Sequence, residues 1–487
     1  MESEKKDLIR RIRGLLALSA ACVVLFASAG SGEDWPKYRR DLSNTGLSSE
    51  TGINSSNVNS LRVKWQFKTG GAVSASPAVA TVNGTSIAYI GAWNGTFYAL
   101  NGLTGQKIWS FQIDPVQNCN QDSCTRIGSS PAVSNSIVYF GASNGYLYAL
   151  NASTGALVWK VQVGDPNQGY EVWSSPSVNG SMVYFGVASH DDSPCVVGHV
   201  QARSASTGAI IWDFTTINQA TCPSGTCVGG GVWASPAIDR NNNVLYVGTG
   251  NPGSTCTPST QNATQYPDSI LALNASTGGL LNYFQAIPND KGDFDFGSSP
   301  LLHDTAIYNY ECVKGARVFQ HWVTEASKDG SMYTFERGAG GLEVDTEAIM
   351  STDGSLLTAS PALFNSLTET NCGGLTQNFS LNDIYVPTYG GDLFDFTQNY
   401  PGEYPDGVRK NWEVTIGSPL YSAPAVIQDL VFFGGNDSYL HAVTVGGTPT
   451  WLFKTGNNVT SGPAISNGRI YFGSFDDNVY CLSPNGQ

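Results

Sequence analysis

The chain has 487 residues, of which only 13% are Asp, Glu, Lys or Arg, with 55 glycines and a formal net charge of −14. Many glycines and few charges point to many tight turns and few amphipathic helices, which argues against a mainly helical protein. The acidic balance excludes nucleic acid and anionic membranes as partners, since both select basic surfaces.

The first segment is an address. MESEKKDLIRRIR is basic, Leu15 to Ser28 is an apolar run, and Ala27-Ser28-Ala29 suits a cleavage site, so residues 1–29 are expected to be a signal peptide. The apolar run is too short for a comfortable membrane span, so no integral membrane segment is expected after removal. A competing reading makes Cys22 of LSAAC a lipid-modified cysteine. The mature protein would be secreted or periplasmic.

From residue 30 to 487 one unit recurs, and a single propeller domain is expected. Ala-x-(Asn/Ser)-x-x-Thr-Gly-x-x-x-Trp appears at Ala99 to Trp109, Ala149 to Trp159 and Ala202 to Trp212. A copy at Ala272 to Asn282 keeps the turn and loses the tryptophan, and a worn copy runs from Ala442 to Trp451. Upstream of the turns lie small-residue-plus-proline strand starts: SASPAV at Ser74, GSSPAV at Gly128, WSSPSV at Trp173 and WASPAI at Trp233. The series continues with GSSPLL at Gly297, TASPAL at Thr358, YSAPAV at Tyr421 and TSGPAI at Thr460. Short β-rich runs separated by Gly, Asn and Asp turns read as antiparallel strands. Eight starts therefore predict an all-β, eight-bladed propeller of four-stranded blades.

The last unit ends one strand short. Leu61 to Thr69 looks like the outer strand of a blade without its inner strands, and WQFKTG at Trp65 matches WLFKTG at Trp451. The two ends are expected to complete one blade and close the ring, which removes exposed sheet edges. Export would place the nine remaining cysteines in an oxidising compartment. Cys119 with Cys124 and Cys222 with Cys227 are close enough for small loop disulfides; the rest cannot be paired from sequence. No Cys-x-x-Cys-His occurs for a covalent haem.

The repeat resembles the tryptophan-docking motif of quinoprotein alcohol dehydrogenases, which bind pyrroloquinoline quinone (PQQ) at the mouth of an eight-bladed propeller. DWPKYRRDLSNTGLS, starting at Asp34, is similar to that family's entry segment, and the polyvinyl-alcohol-dehydrogenase-like branch is the nearest match. The resemblance implies a Trp233 floor beneath the quinone and an Asn251 ligand to its metal, from the segment Gly229 to Pro252. An aromatic face suits a flat ring system and amide and carboxylate oxygens suit a hard cation. Asn289 to Leu302 resembles the segment bearing the catalytic base, which nominates Asp293, with Asp295 as an additional metal carboxylate. On a strand the two would point the same way. The resemblance further places Lys328 and Arg126 on the quinone oxygens and carboxylates, Asp192 on the metal and Ser189 toward the cofactor.

Departures from the family pattern bear on cofactor retention. The chain has no adjacent cysteine pair, Asp192 stands where relatives carry the longer Glu, and the fourth repeat ends in Asn282. Two functions stay open at this level. One is an alcohol dehydrogenase using PQQ and Ca²⁺, or a lanthanide, and an external electron acceptor such as a cytochrome c. The other is a cofactor-free scaffold presenting loops to proteins or glycans.

Overall fold

The computed structural model describes residues 33–486, apart from 117–124, 190–195, 219–226, 253–265, 289, 291, 308–317, 352–355, 358, 373–374 and 399–407. Each of the eight small-residue-plus-proline starts leads into the first strand of a separate sheet. These innermost strands are Ala78–Val82, Ala132–Ser134, Ser177–Asn179, Ala237–Asp239, Leu301–Ile307, Ala362–Cys372, Ala425–Ile427 and Ala464–Ser466, and they define blades 1 to 8. Proline is tolerated immediately before a strand because its missing N–H is not needed by the ladder. Within each blade, strands consecutive in sequence pair antiparallel, giving a four-stranded meander.

Closure follows the expected route. Leu61–Lys68 pairs antiparallel with Asn478–Pro484 and forms the outermost strand of blade 8, the position that Pro449–Lys454 holds in blade 7. The ring is an eight-bladed β-propeller whose last blade is built from both ends of the chain.

The repeat motif explains how blades lock together. The indole N–H of Trp109 donates to the Ala152 carbonyl in the turn of the next blade at 3.0 Å, and the Tyr89 hydroxyl donates to the same oxygen at 2.9 Å. Trp159 and Tyr139 repeat this on the Ala205 carbonyl, and Trp65 with Tyr471 on that of Gly102. The Thr-Gly of the motif is required on both counts that favour glycine: Gly155 has φ of 73°, and a Cβ there would lie 2.6 Å from the Trp109 ring. Blade 4 lacks its tryptophan and uses an amide clamp. Asn282 Nδ2 donates to the Leu342 carbonyl at 2.6 Å and its Oδ1 accepts the Leu342 N–H at 2.9 Å.

Residues 34–48 cross the end of the axis as a belt. The N–H groups of Val133, Ile238, Leu302, Leu363 and Val426, each the second residue of an innermost strand, donate in turn to the carbonyls of Pro36, Leu42, Ser43, Thr45 and Gly46 at 2.7–2.9 Å. Trp35 exchanges both backbone bonds with Val79. Leu47–Ser48 then adds a parallel fifth strand to blade 7. Among the described residues, no helix is long and apolar enough to cross a membrane.

Candidate active site

The residues preceding the innermost strands surround the axis, where an axial cavity of about 160 Å³ is lined from all eight blades. Trp173, Trp233, Gly297 and Tyr421 belong to its lining. Next to it, three segments from two adjoining blades meet. Blade 4 supplies Trp233 and, just after its strand Val244–Gly248, Asn251. The connection to blade 5 supplies Asp293 and Asp295, and the turn between Val318–Ala326 and Ser331–Gly338 of blade 5 supplies Lys328.

Their side chains touch. Asn251 Nδ2 donates to Asp293 Oδ1 at 2.8 Å, although the two residues are 42 apart in sequence. Lys328 Nζ bridges the carboxylates, 2.8 Å from Asp293 Oδ1 and 3.1 Å from Asp295 Oδ2. The same ammonium lies 5.7 Å from the centre of the Trp233 ring. A Cβ at Gly297 would meet both Trp233 Nε1 at 3.0 Å and Asp295 Oδ1 at 3.2 Å, so the missing side chain of Gly297 leaves room for both groups.

The strand expected for Asp293 and Asp295 is an irregular loop. They converge through Lys328 rather than by alternation, and Asp293 adopts a φ of 151°, rare for a residue with a side chain. Two anchors hold this backbone. The Asp290 carboxylate accepts the N–H groups of Gly292, Asp293 and Phe294 at 2.6, 3.1 and 3.0 Å. From blade 5, Lys328 N–H donates to the Asp295 carbonyl and Ser327 Oγ to that of Phe294, at 2.9 and 2.8 Å.

The two acids have opposite environments. The Asp293 side chain is 63% exposed and that of Asp295 is 0% exposed. Partial burial would raise Asp293, but hydrogen bonds from Lys328 and Asn251 outweigh it and hold the acid below the usual carboxylate range. Burial pushes Asp295 up to about 8, opposed by Lys328 and reinforced by the Asp293 charge. Asp295 Oδ1 is buried with no hydrogen-bond partner among the described residues. For Lys328, burial is outweighed by the two carboxylates, which keep it a cation.

The other candidates are placed as follows. The Arg126 guanidinium stacks 4.2 Å above Trp93, whose indole N–H donates to Ser74 Oγ on the axial cavity. Arg126 is thus near the same mouth, and among the described residues it makes no contact with Lys328, Asp293 or Asp295. Ser189 is buried and follows Ala188, which packs against Gly231 beside Trp233. Asp192 lies outside the described residues, as do Cys119, Cys124 and Cys222. Cys227 is disulfide-bonded, and Cys481 is a buried free thiol. Among the described residues, no group of three or more His, Cys, Asp or Glu side chains surrounds a metal position.

Two residues escaped the sequence reading. Trp173 lines the axial cavity with Trp233, and its indole N–H donates to the Glu171 carboxylate. That signal was available, because both tryptophans occupy the same position of the repeat. Glu325, three residues before Lys328, is fully buried against Gly248 of blade 4, and burial alone pushes its pKa well up. Both its oxygens lack hydrogen-bond partners among the described residues. No sequence signal marks it, since TEASKDG reads as ordinary strand and turn.

Comparison with known proteins bears on this site. Residues 35–348 match the family described as "PQQ: Glucose/ethanol/alcohol dehydrogenase, beta-propeller domain". The chain is 24% identical over 315 residues to quinoprotein alcohol dehydrogenase PedH of Pseudomonas putida, covering 59% of this chain and 51% of that protein. It is 29% identical over 341 residues to a quinohemoprotein alcohol dehydrogenase of Comamonas testosteroni, covering 64% and 46%. The chain spans about half the length of these curated relatives. Among solved structures, a europium-containing methanol dehydrogenase superposes with a TM-score of 0.70 at 18% identity, covering 93% of this chain and 98% of that one. That likeness is one of fold. The family match spans well over half of the chain and includes Trp233, Asn251, Asp293, Asp295 and Lys328, so the protein belongs to the PQQ-dependent alcohol dehydrogenase β-propeller family.

Proposed function

We propose that the chain is an exported PQQ-dependent alcohol dehydrogenase that uses a hard cation, Ca²⁺ or a lanthanide, and hands electrons to an external acceptor such as a cytochrome c. The observation that carries this reading is the meeting of Asn251, Asp293, Asp295 and Lys328 beside Trp233 at the axial mouth. When bound, PQQ supplies the two-electron acceptor for hydride, and the cation supplies Lewis acidity.

The residues present fit such a group. Trp233 is half-buried at the cavity and offers a flat surface for a planar ring. Lys328 offers a cation to an anionic ligand, with Arg126 further along the mouth. Asn251 and Asp293 offer hard oxygen donors, with Asp192 as a further expected ligand.

Resemblance assigns the proton-accepting role to Asp293 and a metal role to Asp295; burial favours the reverse. A base works best shielded from water and near the operating pH, which describes Asp295 rather than the exposed Asp293. Lys328, 3.1 Å away, opposes the rise caused by burial without cancelling it, so Asp295 accepts a proton only towards or above about pH 8. Asp293, fixed by Asn251 and Lys328, then orients the rim.

The test is to add PQQ with Ca²⁺ or a lanthanide to purified protein and follow melting temperature and dye reduction across a panel of alcohols. A PQQ-dependent rise in melting temperature together with alcohol-dependent dye reduction is expected. Absence of both would leave the cofactor-free scaffold.

A further inference from the structure

Below the tryptophans, the axis carries a ring of hydroxyls. Ser76, Ser130, Ser175, Ser235, Ser299 and Ser360 hold one equivalent position, directly before the proline of blades 1 to 6. The backbone N–H of each donates to the hydroxyl oxygen of the next, from Ser76 to Ser130 and onward to Ser360, at 2.8–3.0 Å. Gly462 of blade 8 donates to Ser76 Oγ at 2.8 Å. Every hydroxyl oxygen in the ring is therefore satisfied as an acceptor.

The donors are not. Ser360 meets the Tyr38 hydroxyl at 3.0 Å, but the hydroxyl hydrogens of the other five have no acceptor among the described protein groups. All five residues are at most 6% exposed, and they line the cavity of about 160 Å³. A buried O–H without an acceptor is costly, so five around one cavity call for an acceptor-rich guest.

Charge gives the guest its sign. Arg39, next to the cavity-lining Tyr38, is 3% exposed and donates to the carbonyls of Pro361 and Pro424, the residues that follow Ser360 and Ala423 of the lining. No carboxylate lies within ion-pair distance of it among the described residues, and its Nε–H has no partner. On the Gly297 side of the cavity, Asp295 Oδ2 is paired with Lys328, while Oδ1 has no hydrogen-bond partner among the described residues.

We propose that the serine ring is an internal binding site for a small monovalent anion of halide size, held by converging hydroxyl donors above the buried Arg39. The cavity accommodates such an ion with a few waters at about 30 Å³ each. The site shares the axial cavity with Trp233 but requires neither PQQ nor the Lys328 cluster.

Bromide is the probe, used on the full chain without PQQ. Diffraction at the bromine edge is expected to show an anomalous peak on the axis within the serine ring. Saturating bromide should raise the melting temperature by about 2 °C over a fluoride-free, halide-free salt of equal ionic strength. Iodide should quench the fluorescence of Trp173 and Trp233, which share the cavity. A Ser130→Ala, Ser235→Ala double variant should melt lower in halide-free salt, because it strands the buried N–H groups of Ser76 and Ser175, and should lose the bromide-specific rise measured against its own halide-free value. Axial density occupied by water alone, or bromide peaks confined to the surface, would overturn the proposal. So would a bromide-specific rise that survives in the double variant. Should that variant not fold, the anomalous map of the unaltered protein still decides.

Discussion

Asp293 and Asp295 are two residues apart, share Lys328, and can be told apart by one isosteric change each. Asp295→Asn keeps the shape of a side chain that is 0% exposed and removes its capacity to take a proton. A positioned general base contributes about 10²–10⁴ in rate, or roughly 3–5.5 kcal/mol at 1.36 kcal/mol per tenfold. Asp293→Asn can still accept from Asn251 but loses a charge pair with Lys328 on a side chain that is 63% exposed. Such a pair is worth about 1 kcal/mol or less, so less than about tenfold in rate is at stake. The assay is dye reduction at saturating PQQ and cation, with bound PQQ quantified by extraction so that poor loading is not mistaken for lost chemistry. The expected result is a loss of at least about 100-fold for Asp295→Asn at full PQQ occupancy, with Asp293→Asn within about tenfold of the parent. The opposite ordering at full occupancy would return the base role to Asp293. Near-parental rates in both variants would remove it from this loop altogether.

Two further outcomes test the fold around the site. Asn282→Ala would strand the N–H and C=O of Leu342, a residue 3% exposed, and should destabilise by about 2–5 kcal/mol. Denaturant unfolding measures this, and an unchanged midpoint would show that the clamp contributes nothing. Asp395 stands where other blades carry a buried alanine such as Ala99 or Ala149, and burial, aided by the Asp383 charge, pushes it up to about 8. Its folded pKa lies above its unfolded one, so its contribution is fully present below about pH 4 and is lost as pH rises toward 8, by at most about 4 kcal/mol at pH 7. Asp395→Asn should therefore out-melt the parent at pH 8 by a margin that shrinks toward pH 4.5; a constant margin would refute the assignment.

The blade count, the strand starts and the closure were legible in the sequence because they depend on local chemistry repeated eight times. A proline that needs no ladder bond and a glycine that must hold positive φ under an indole are read wherever they occur. The belt of residues 34–48 was not legible, since its bonds are backbone carbonyls meeting strands from 44 to 380 residues away, such as Thr45 with Leu363. At the site, the residue types pointed to the right segments but not to their conformation. Strand alternation offered the simplest way to align Asp293 and Asp295, yet Asp290 gathers three successive N–H groups and bends the chain into a loop. The burial that separates the two acids arises from packing against Trp233 and blade 5, which no spacing rule encodes.

The site also coincides with a departure from the repeat. Asn251 belongs to blade 4, Lys328 to blade 5, and Asp293 and Asp295 to the connection between them. At this same junction the docking tryptophan is replaced by the Asn282 clamp, and a buried carboxylic acid, Glu325, presses on Gly248. Local rules are broken where function requires it, and the cost is met by neighbouring structure. A tryptophan dock fixes two blades through one carbonyl at their outer edge, whereas Asn282 grips both backbone groups of Leu342. The relative position of blades 4 and 5 sets whether Asn251 and Lys328 can reach Asp293 together. The clamp therefore bears on the 2.8 Å contacts of the site as well as on stability, although it touches none of the residues that make them.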